Sequence, residues 1–215
     1  RLALVPPAVP PLEPLDEPTR RQTRQAFDVP TDAPLVVYAG DLELGDGARR
    51  SLEAFARLRE DAILVMACRA KTAGAVSAEG RLRERARVLG VHDRLRWVGE
   101  TPRIHHLVGC ADVVPLPATD LYAKMDLPLV LLEAMWMARP VIVAAGTPAA
   151  ELADGGAALA VPDVDALAGA LEQLLDEAER RRALGEAARR AAAERYHPER
   201  MVRAYEAIYD EVLAR

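Results

Sequence analysis

The chain has 215 residues, of which half are apolar and only 4% aromatic, and its formal net charge is −5. This mild negative charge gives the chain as a whole no basic surface for nucleic acid, and no apolar run reaches the roughly 18 residues that span a membrane. Cys68 and Cys110 each lie beside an apolar run and form neither a metal-ligand spacing nor a disulfide framework. We therefore expect two buried thiols in a reducing compartment.

Residues 1–33 form a Pro-rich, charged segment that includes VPPAVPPLEPLDEP. This composition is typical of an extended linker, and a short helix fits over residues 19–27. The chain starts at Arg1 with no signal-peptide pattern, so we expect a piece of a longer protein. The composition changes at residue 34, which predicts a linker over 1–33 and one domain over 34–215.

From residue 34 onward, short apolar runs alternate with helical patterns. Gly40 ends the first run, and the helical pattern before Pro140 must end ahead of that proline. From residue 163 the pattern stays helical to the C-terminus, with breaks expected near Gly185 and Pro198. The predicted strands are 34–40, 62–68, 94–100, 111–117, 140–145 and 158–162. The predicted helices before this tail are about 47–59, 75–89, 103–109 and 128–139.

Six short apolar strands interleaved with helices predict an α/β fold, in which helices cover both faces of a parallel sheet. The crossovers should be right-handed. Ligands bind such sheets outside the carboxyl ends of the strands, where loops and helix N-termini gather. The candidate ligand-binding loops are therefore 40–47, 68–74, 99–103, 117–128 and 146–148.

The helix that starts near Pro128 carries one carboxylate, Glu133, among Leu, Val, Met, Trp and Ala residues. The free N–H groups of its first turn, at Leu129, Val130 and Leu131, together with the helix dipole, favour an anion in front of it. An ionised carboxylate in such an apolar helix needs a partner. A pair of vicinal hydroxyls would serve, and so would a structural Arg or a backbone N–H, so both a ligand contact and a structural pairing stay open.

Several motifs together resemble a known family. The order of a strand ending in Gly, VLLEAM, ARPVIVA, AAELADGG, DVDALAGALEQLL and a final ERY…YEAIYDEVL is similar to the C-terminal, donor-binding half of family 4 glycosyltransferases. The resemblance covers residues 34–215, with 1–33 similar to the interdomain connection. It implies one Rossmann-like half of the two-domain architecture called GT-B.

The resemblance also implies roles for particular residues. Two glutamates seven residues apart face the nucleotide sugar in this family, and the one that contacts the ribose falls on Glu133. The diphosphate would contact the Leu129 and Val130 amides. Gly40, at the end of the first strand, would belong to the same donor-binding site. The nucleotide base would lie against the loop of Val98, Gly99 and Glu100.

Some positions depart from the family pattern. The first glutamate's position is Met125, for which the neighbouring Asp126 is a candidate replacement, and Pro128 stands where the family usually has Gly. The family places cations around the diphosphate at two positions that here hold Asp41 and Asp46. The candidate replacement cations, which could also be ordinary surface charges, are Arg69, Lys71 and Lys124.

Other polar residues give weaker indications of a functional site. His105 and His106 lack Cys, Asp or Glu at ligand spacing and are expected at the surface or in a cap, and we predict no metal site. The turn GDLELGDG matches neither the Walker nor the dinucleotide pattern and is interpreted as a flexible turn. Trp136 and Met137 are expected to pack in the core or between domains.

The resemblance implies a retaining, metal-independent glycosyltransferase whose substrate is a UDP-, GDP- or other NDP-sugar, with no cofactor. We expect the acceptor-binding N-terminal half to be missing from this chain, and therefore nucleotide-sugar binding without transfer. The expected location is the cytoplasm, with peripheral contact with the inner face of the membrane through the missing half left open. Two alternatives stay open. The chain could be a degenerate, non-catalytic interaction module, or half of an NDP-sugar epimerase.

Overall fold

The computed structural model describes residues 3–120 and 126–214. Within them the chain forms six parallel strands, all at the predicted places. The apolar sequences of the four inner strands are almost completely buried, as expected for a sheet covered on both faces, whereas the two edge strands are partly exposed. The strands are β1 (Leu35–Tyr38), β2 (Ile63–Ala67), β3 (Leu95–Val98), β4 (Val114–Leu116), β5 (Val141–Ala144) and β6 (Leu159–Val161).

The strands form two parallel ladders, β1-β2-β3 and β4-β5-β6. A parallel bridge between Val36 and Val113 joins the ladders, with a hydrogen bond from the Val37 amide to the Val113 carbonyl at 3.1 Å. The order across the molecule is therefore β3-β2-β1-β4-β5-β6. The direction of strand succession reverses between β1 and β4, which makes this point the topological switch point of the sheet.

Helices flank the sheet in two groups. The helices are α1 (Glu17–Ala26), α2 (Gly47–Phe55), α3 (Ala73–Val88), α4 (Ile104–Cys110), α5 (Leu129–Trp136), α6 (Val164–Asp176), α7 (Ala178–Arg195) and α8 (Pro198–Leu213). One group contains α2, α3 and α6, and the other contains α1, α4, α5 and α7. Side-chain caps start several of them, because Asp16, Thr72 and Asp163 each accept a hydrogen bond from the amide three residues later. Short 3-10 helices lie at His92–Arg94 and Pro148–Ala153.

The predicted helix break near Gly185 is wrong. Gly185 lies inside α7, which separates from α6 at Glu177, whereas the predicted break at Pro198 is confirmed. A Cβ atom on Gly185 would lie 2.2 Å from the Ala138 carbonyl oxygen, just beyond the end of α5. The glycine therefore lets two helices approach closely, and its helical conformation is maintained by this packing.

The N-terminal segment packs against the sheet domain. Val9 is buried, and α1 lies against α4. The Arg24 side chain is 6% exposed and donates hydrogen bonds to the carbonyls of Pro30, Ala33 and Cys110. These bonds hold the segment over the amino ends of β1 and β4.

Candidate functional site

A cavity of about 590 Å³ lies at the carboxyl ends of β1, β2 and β4 and extends to the first turns of α5. We call it the switch-point pocket. Its volume is within the range of small-molecule sites. Five of the predicted site residues line it: Gly40, Arg69, Lys71, Val130 and Glu133. The other lining residues are Tyr38, Ala39, Asp41, Glu43, Leu44, Ala67, Thr72, Ala75, Ile104, Leu116, Ala118, Asp120 and Pro128.

Glu133 is the fifth residue of α5, on a helix whose Leu131, Leu132, Ala134 and Met135 are fully buried. Its side chain is 20% exposed and faces the switch-point pocket. Burial raises the pKa of the Glu133 carboxyl, and His105 partly opposes that rise. A half-buried carboxylate in this position is poised to accept hydrogen bonds from a ligand.

His105 on α4 is the partner that the sequence reasoning missed. Its side chain is 46% exposed, which confirms the expected surface position, and its Nε2 atom lies 3.7 Å from Glu133 Oε1. The two residues are far apart in the sequence and meet because α4 packs against α5. A lone histidine carries no sequence signal for such a contact.

The start of α5 differs slightly from the prediction. Pro128 is the N-cap residue, and the Leu131 amide already donates to the Pro128 carbonyl at 3.0 Å, so the expectation that this amide is free is wrong. This hydrogen bond closes the first turn of the helix. The amides of Leu129 and Val130 have no acceptor among residues 3–120 and 126–214. These two N–H groups remain candidates for an anion, although only Val130 lines the pocket.

Asp41 and Asp46 organise the turn after β1. Asp41 Oδ1 accepts hydrogen bonds from the amides of Glu43 and Leu44 at 2.8 and 2.7 Å. Asp46 Oδ1 accepts one from the Thr119 amide at 2.9 Å. The turn is therefore shaped by its carboxylates, which explains the GDLELGDG sequence better than a flexible turn does.

Arg69 and Lys71 both line the switch-point pocket, but they differ in whether an ion-pair partner already neutralises them. The Arg69 guanidinium pairs with the Glu100 carboxylate, which holds the pKa of Glu100 below its usual range and raises that of Arg69. Lys71 has no hydrogen bond or ion pair with a residue in the described ranges. Lys71 is therefore the candidate cation that an anionic ligand meets without first displacing a partner.

The remaining predicted site residues lie elsewhere. Leu129, Val98, Gly99, Glu100 and Asp126 do not line the switch-point pocket. Glu100 reaches its edge through the pair with Arg69. Lys124, with the departure at Met125, lies outside the described residues.

The cysteines and two packing residues are where the sequence predicted. Cys68 and Cys110 are buried free thiols, and burial raises the pKa of Cys68 to about 12. Trp136 and Met137 are buried in the core. In the described part of the chain, no cluster of three or more His, Cys, Asp or Glu side chains is arranged to hold a metal ion, and no helix has the length and apolar character needed to cross a membrane.

Comparisons with known proteins agree with this architecture. The family described as glycosyl transferases group 1 matches residues 19–191. The chain is similar to a D-inositol 3-phosphate glycosyltransferase from Corynebacterium aurimucosum, with 34% identity over 79% of this chain and 41% of that protein. The chain therefore spans less than half the length of this curated relative.

Two solved structures have the same fold. A glycosyltransferase from Rickettsia africae superposes with a TM-score of 0.83 at 18% identity, over 93% of this chain and 53% of that one. Anabaena Alr3699/HepE, in complex with UDP and glucose, superposes with a TM-score of 0.81 at 18% identity, over 94% of this chain and 53% of that one. The predicted α/β fold, with a parallel sheet, flanking helices and a helical C-terminal tail, is confirmed.

Proposed function

The chain belongs to the glycosyl transferases group 1 family, and on that premise we propose that it is the part of a glycosyltransferase that binds the nucleotide-sugar donor. The observation that carries this proposal is the switch-point pocket, in which the half-buried Glu133 faces a cavity of about 590 Å³. Open α/β sheets bind nucleotides at this point of the topology.

The chemistry of the pocket walls supports a proposed position for the donor. Two vicinal ribose hydroxyls would donate hydrogen bonds to the Glu133 carboxylate and satisfy its charge. The diphosphate would lie before α5, against the Val130 amide and near Lys71. The base would extend toward the loop after β3, at Val98 to Glu100. UDP is the first nucleotide to test, because a protein of the same fold has been solved with it.

The proposed reaction transfers a sugar with retention at its anomeric carbon and without a metal. The bond between the anomeric carbon and the diphosphate oxygen breaks, and the nucleoside diphosphate leaves with the electron pair. A bond to an acceptor hydroxyl oxygen forms, and the hydroxyl proton is released. The α5 N-terminus and Lys71 would stabilise the leaving diphosphate.

We propose that the acceptor site lies on a second domain. This chain spans 41% and 47% of two curated relatives of the family. Within the described residues α8 has no buried side chain, and it exposes Val202, Tyr205, Tyr209 and Val212. That apolar face is a candidate contact for the second domain. A cytoplasmic location, with membrane contact through that domain, is part of the same proposal.

A second candidate function is a non-catalytic interaction module. It is favoured by Asp41 and Asp46, whose positions hold cations in the pattern that the sequence resembles, and by the pairing of Arg69 with Glu100. A module of this kind would keep the fold while binding no nucleotide.

Calorimetry with UDP and GDP, in the presence of EDTA, separates the two candidates. We expect Glu133→Ala to weaken nucleotide binding by roughly 1.5–3 kcal/mol, the usual contribution of a hydrogen bond to a charged group. Glu172→Ala removes an exposed carboxylate of α6 and is the matched control. Absence of binding of any nucleoside diphosphate at millimolar concentration would leave the non-catalytic module as the function.

The same titration identifies the cation. Lys71→Ala should weaken UDP binding more than uridine binding, and the difference should shrink at high salt. Arg69→Ala should have the smaller effect, because Glu100 already neutralises that guanidinium. If neither variant changes UDP affinity, the helix N-terminus must hold the phosphates without them.

A further inference from the structure

A second cavity, of about 360 Å³, lies at the amino end of the sheet, opposite the switch-point pocket. Its floor is Pro34, just before β1, and Asp112, just before β4. Arginines from two helices form its walls: Arg20 and Arg24 from α1, and Arg181 from the first turn of α7. We call this cavity the arginine cleft.

Positive charge exceeds negative charge in the deep part of the cleft. Asp112 is 16% exposed and lies 3.3 Å from Arg24 Nη2 and 3.6 Å from Arg181 Nε. The guanidinium of Arg139 lies near this group without lining the cleft. Burial, together with the positive charges of Arg20 and Arg181, lowers the pKa of Arg139 to about 10, and Asp112 opposes this shift. Two arginines thus pair with Asp112, and two more lie close to it.

Carboxylates at the rim do not remove this excess. Glu17 and Asp32 line the outer part of the cleft, and Arg21 lies beside them. Glu17 is exposed and already bonded to Arg21, with Nε to Oε1 at 2.9 Å. Asp32 is an exposed residue. Water screens both carboxylates more strongly than it screens the less exposed guanidinium groups of Arg20, Arg24 and Arg181.

Most of the guanidinium N–H groups already have structural partners. Arg24 donates to the carbonyls of Pro30 and Ala33, Arg139 to that of Ala111, and Arg181 to those of Leu174 and Leu175. These bonds fix α1 and α7 over the sheet. They use N–H groups without adding negative charge, so the excess of cations remains.

Arg20 differs from its neighbours. Its side chain is only 21% exposed, yet its guanidinium donates no hydrogen bond to a residue within 3–120 or 126–214. In the described part of the chain its ion-pair contact is with Glu17 Oε2 at 3.9 Å. The forked donors of Arg20 therefore remain available beside a cleft that has room for a small molecule.

We propose that the arginine cleft binds the phosphate group of a small phosphorylated molecule. Arg20 and the free N–H groups of Arg181 are the ligands. A guanidinium fork matches two oxygens of a phosphate, and a dianion neutralises an excess of cations better than a monoanion does. The site is separate from the donor site, because the two cavities open at opposite ends of the strands. It gives the domain a place at which a phosphorylated metabolite can bind without competing with the nucleotide.

The test follows ¹⁵N–¹H resonances of the 215-residue chain during titration with inorganic phosphate and, separately, glycerol phosphate. We expect both anions to shift the Arg20 and Arg181 Nε–H signals and the amides of 31–33. Arg20→Gln should weaken binding at least about tenfold, since it removes the charge and the fork. Arg182→Gln, on the exposed face of α7, is the matched control and should change affinity less than about twofold.

Two further arms complete the design. Arg20→Lys keeps the charge without the fork and should bind with intermediate affinity, and unchanged amide signals away from the cleft check its fold. Saturation with UDP should leave phosphate affinity unchanged. Tighter binding of glycerol phosphate than of inorganic phosphate would identify a phosphate monoester as the ligand. Equal binding of the two would identify the free phosphate ion as the ligand. The proposal is overturned if phosphate shifts only the switch-point pocket, or if Arg20→Gln and Arg182→Gln bind alike.

Discussion

The two ends of the sheet hold cavities of opposite electrostatic character. At the carboxyl end, the half-buried carboxylate of Glu133 faces the switch-point pocket, with a half-exposed histidine as its neighbour. At the amino end, Arg24 and Arg181 of the arginine cleft pair with Asp112, and Arg20 and Arg139 lie close by. The first arrangement leaves a charge for a ligand to satisfy. The second also holds the fold together, because its arginines bond to carbonyls of α6 and of the N-terminal segment.

The largest expected effect follows from removing the charge that the arginines share. Asp112 Oδ2 accepts a hydrogen bond from the Leu35 amide at 2.8 Å. Asp112→Asn keeps an acceptor oxygen for this bond but leaves the positive charge of the guanidinium groups uncompensated. We expect the free energy of unfolding to fall by about 3 kcal/mol, as for other broken buried ion pairs. Urea denaturation measures it.

Asp165→Asn is the control for that prediction. Asp165 pairs with Arg57 on the surface and is 81% exposed, so its replacement should change stability by less than about 0.5 kcal/mol. Equal effects of the two substitutions would mean that water screens the arginine cleft as fully as it screens the surface. The contrast between the two ends of the sheet would then be lost.

The second prediction tests how the two ends are coupled. Helix α7 carries Arg181 at the cleft and Gly185 against Ala138, beyond the end of α5. In Gly185→Ala the new Cβ would meet the Ala138 carbonyl oxygen at 2.2 Å, so the helices must separate. We expect a loss of about 2 kcal/mol, typical of overpacking, in thermal or urea denaturation.

Gly169→Ala is the matched control, because Gly169 is also helical and a Cβ there would meet nothing within 4 Å. It should stabilise the chain by roughly 0.5–1 kcal/mol. A stabilising Gly185→Ala would show that α5 and α7 are not in contact as described. The position of Glu133 would then no longer depend on α7.

The sequence predicted the carboxyl end better than the amino end, for a physical reason. Strand positions follow from short apolar runs, and the first turns of α5 follow from Pro128 and an apolar helix with one carboxylate. The pair of His105 and Glu133 and the cluster around Asp112 depend on packing between distant segments. Gly185 has the sequence signal of a break, but the close approach of Ala138 decides its role. The linker predicted over 1–33 stays a prediction, although Arg24 shows how firmly part of it is attached.

The third prediction concerns the stability cost of Glu133. Burial raises the pKa of the Glu133 carboxyl in the folded state. At pH values between the ordinary pKa of 4.5 and this raised pKa, the folded state therefore keeps a proton that the unfolded state has released. Stability therefore falls as pH rises through this window, and stays lower above it. Glu133→Gln should remove this slope and stabilise the chain by about 1 kcal/mol at neutral pH.

Denaturation at several pH values, with Glu172→Gln as the exposed control, measures this effect. The sign is opposite to that for Asp112→Asn. A destabilising Glu133→Gln would indicate that a structural partner satisfies the carboxylate, and the ligand role proposed for it would lose its main support.

The smallest expected effect isolates the neighbour of Glu133. The His105 imidazole, 3.7 Å away, lowers the pKa of the carboxyl only while it carries a proton, and its exposed position weakens the attraction. Exposed pairs of this kind contribute about 0.2–1 kcal/mol. His105→Ala should therefore raise the pKa of Glu133 further, measured from the pH dependence of its side-chain carboxyl ¹³C shift. His106→Ala, which removes the adjacent exposed imidazole, should leave the pKa of Glu133 unchanged.

If Glu133 titrates alike in the two variants, His105 does not reach Glu133 in solution. The carboxylate would then face the pocket without this histidine as a partner, and the contrast with Asp112, which arginines surround, would be greater.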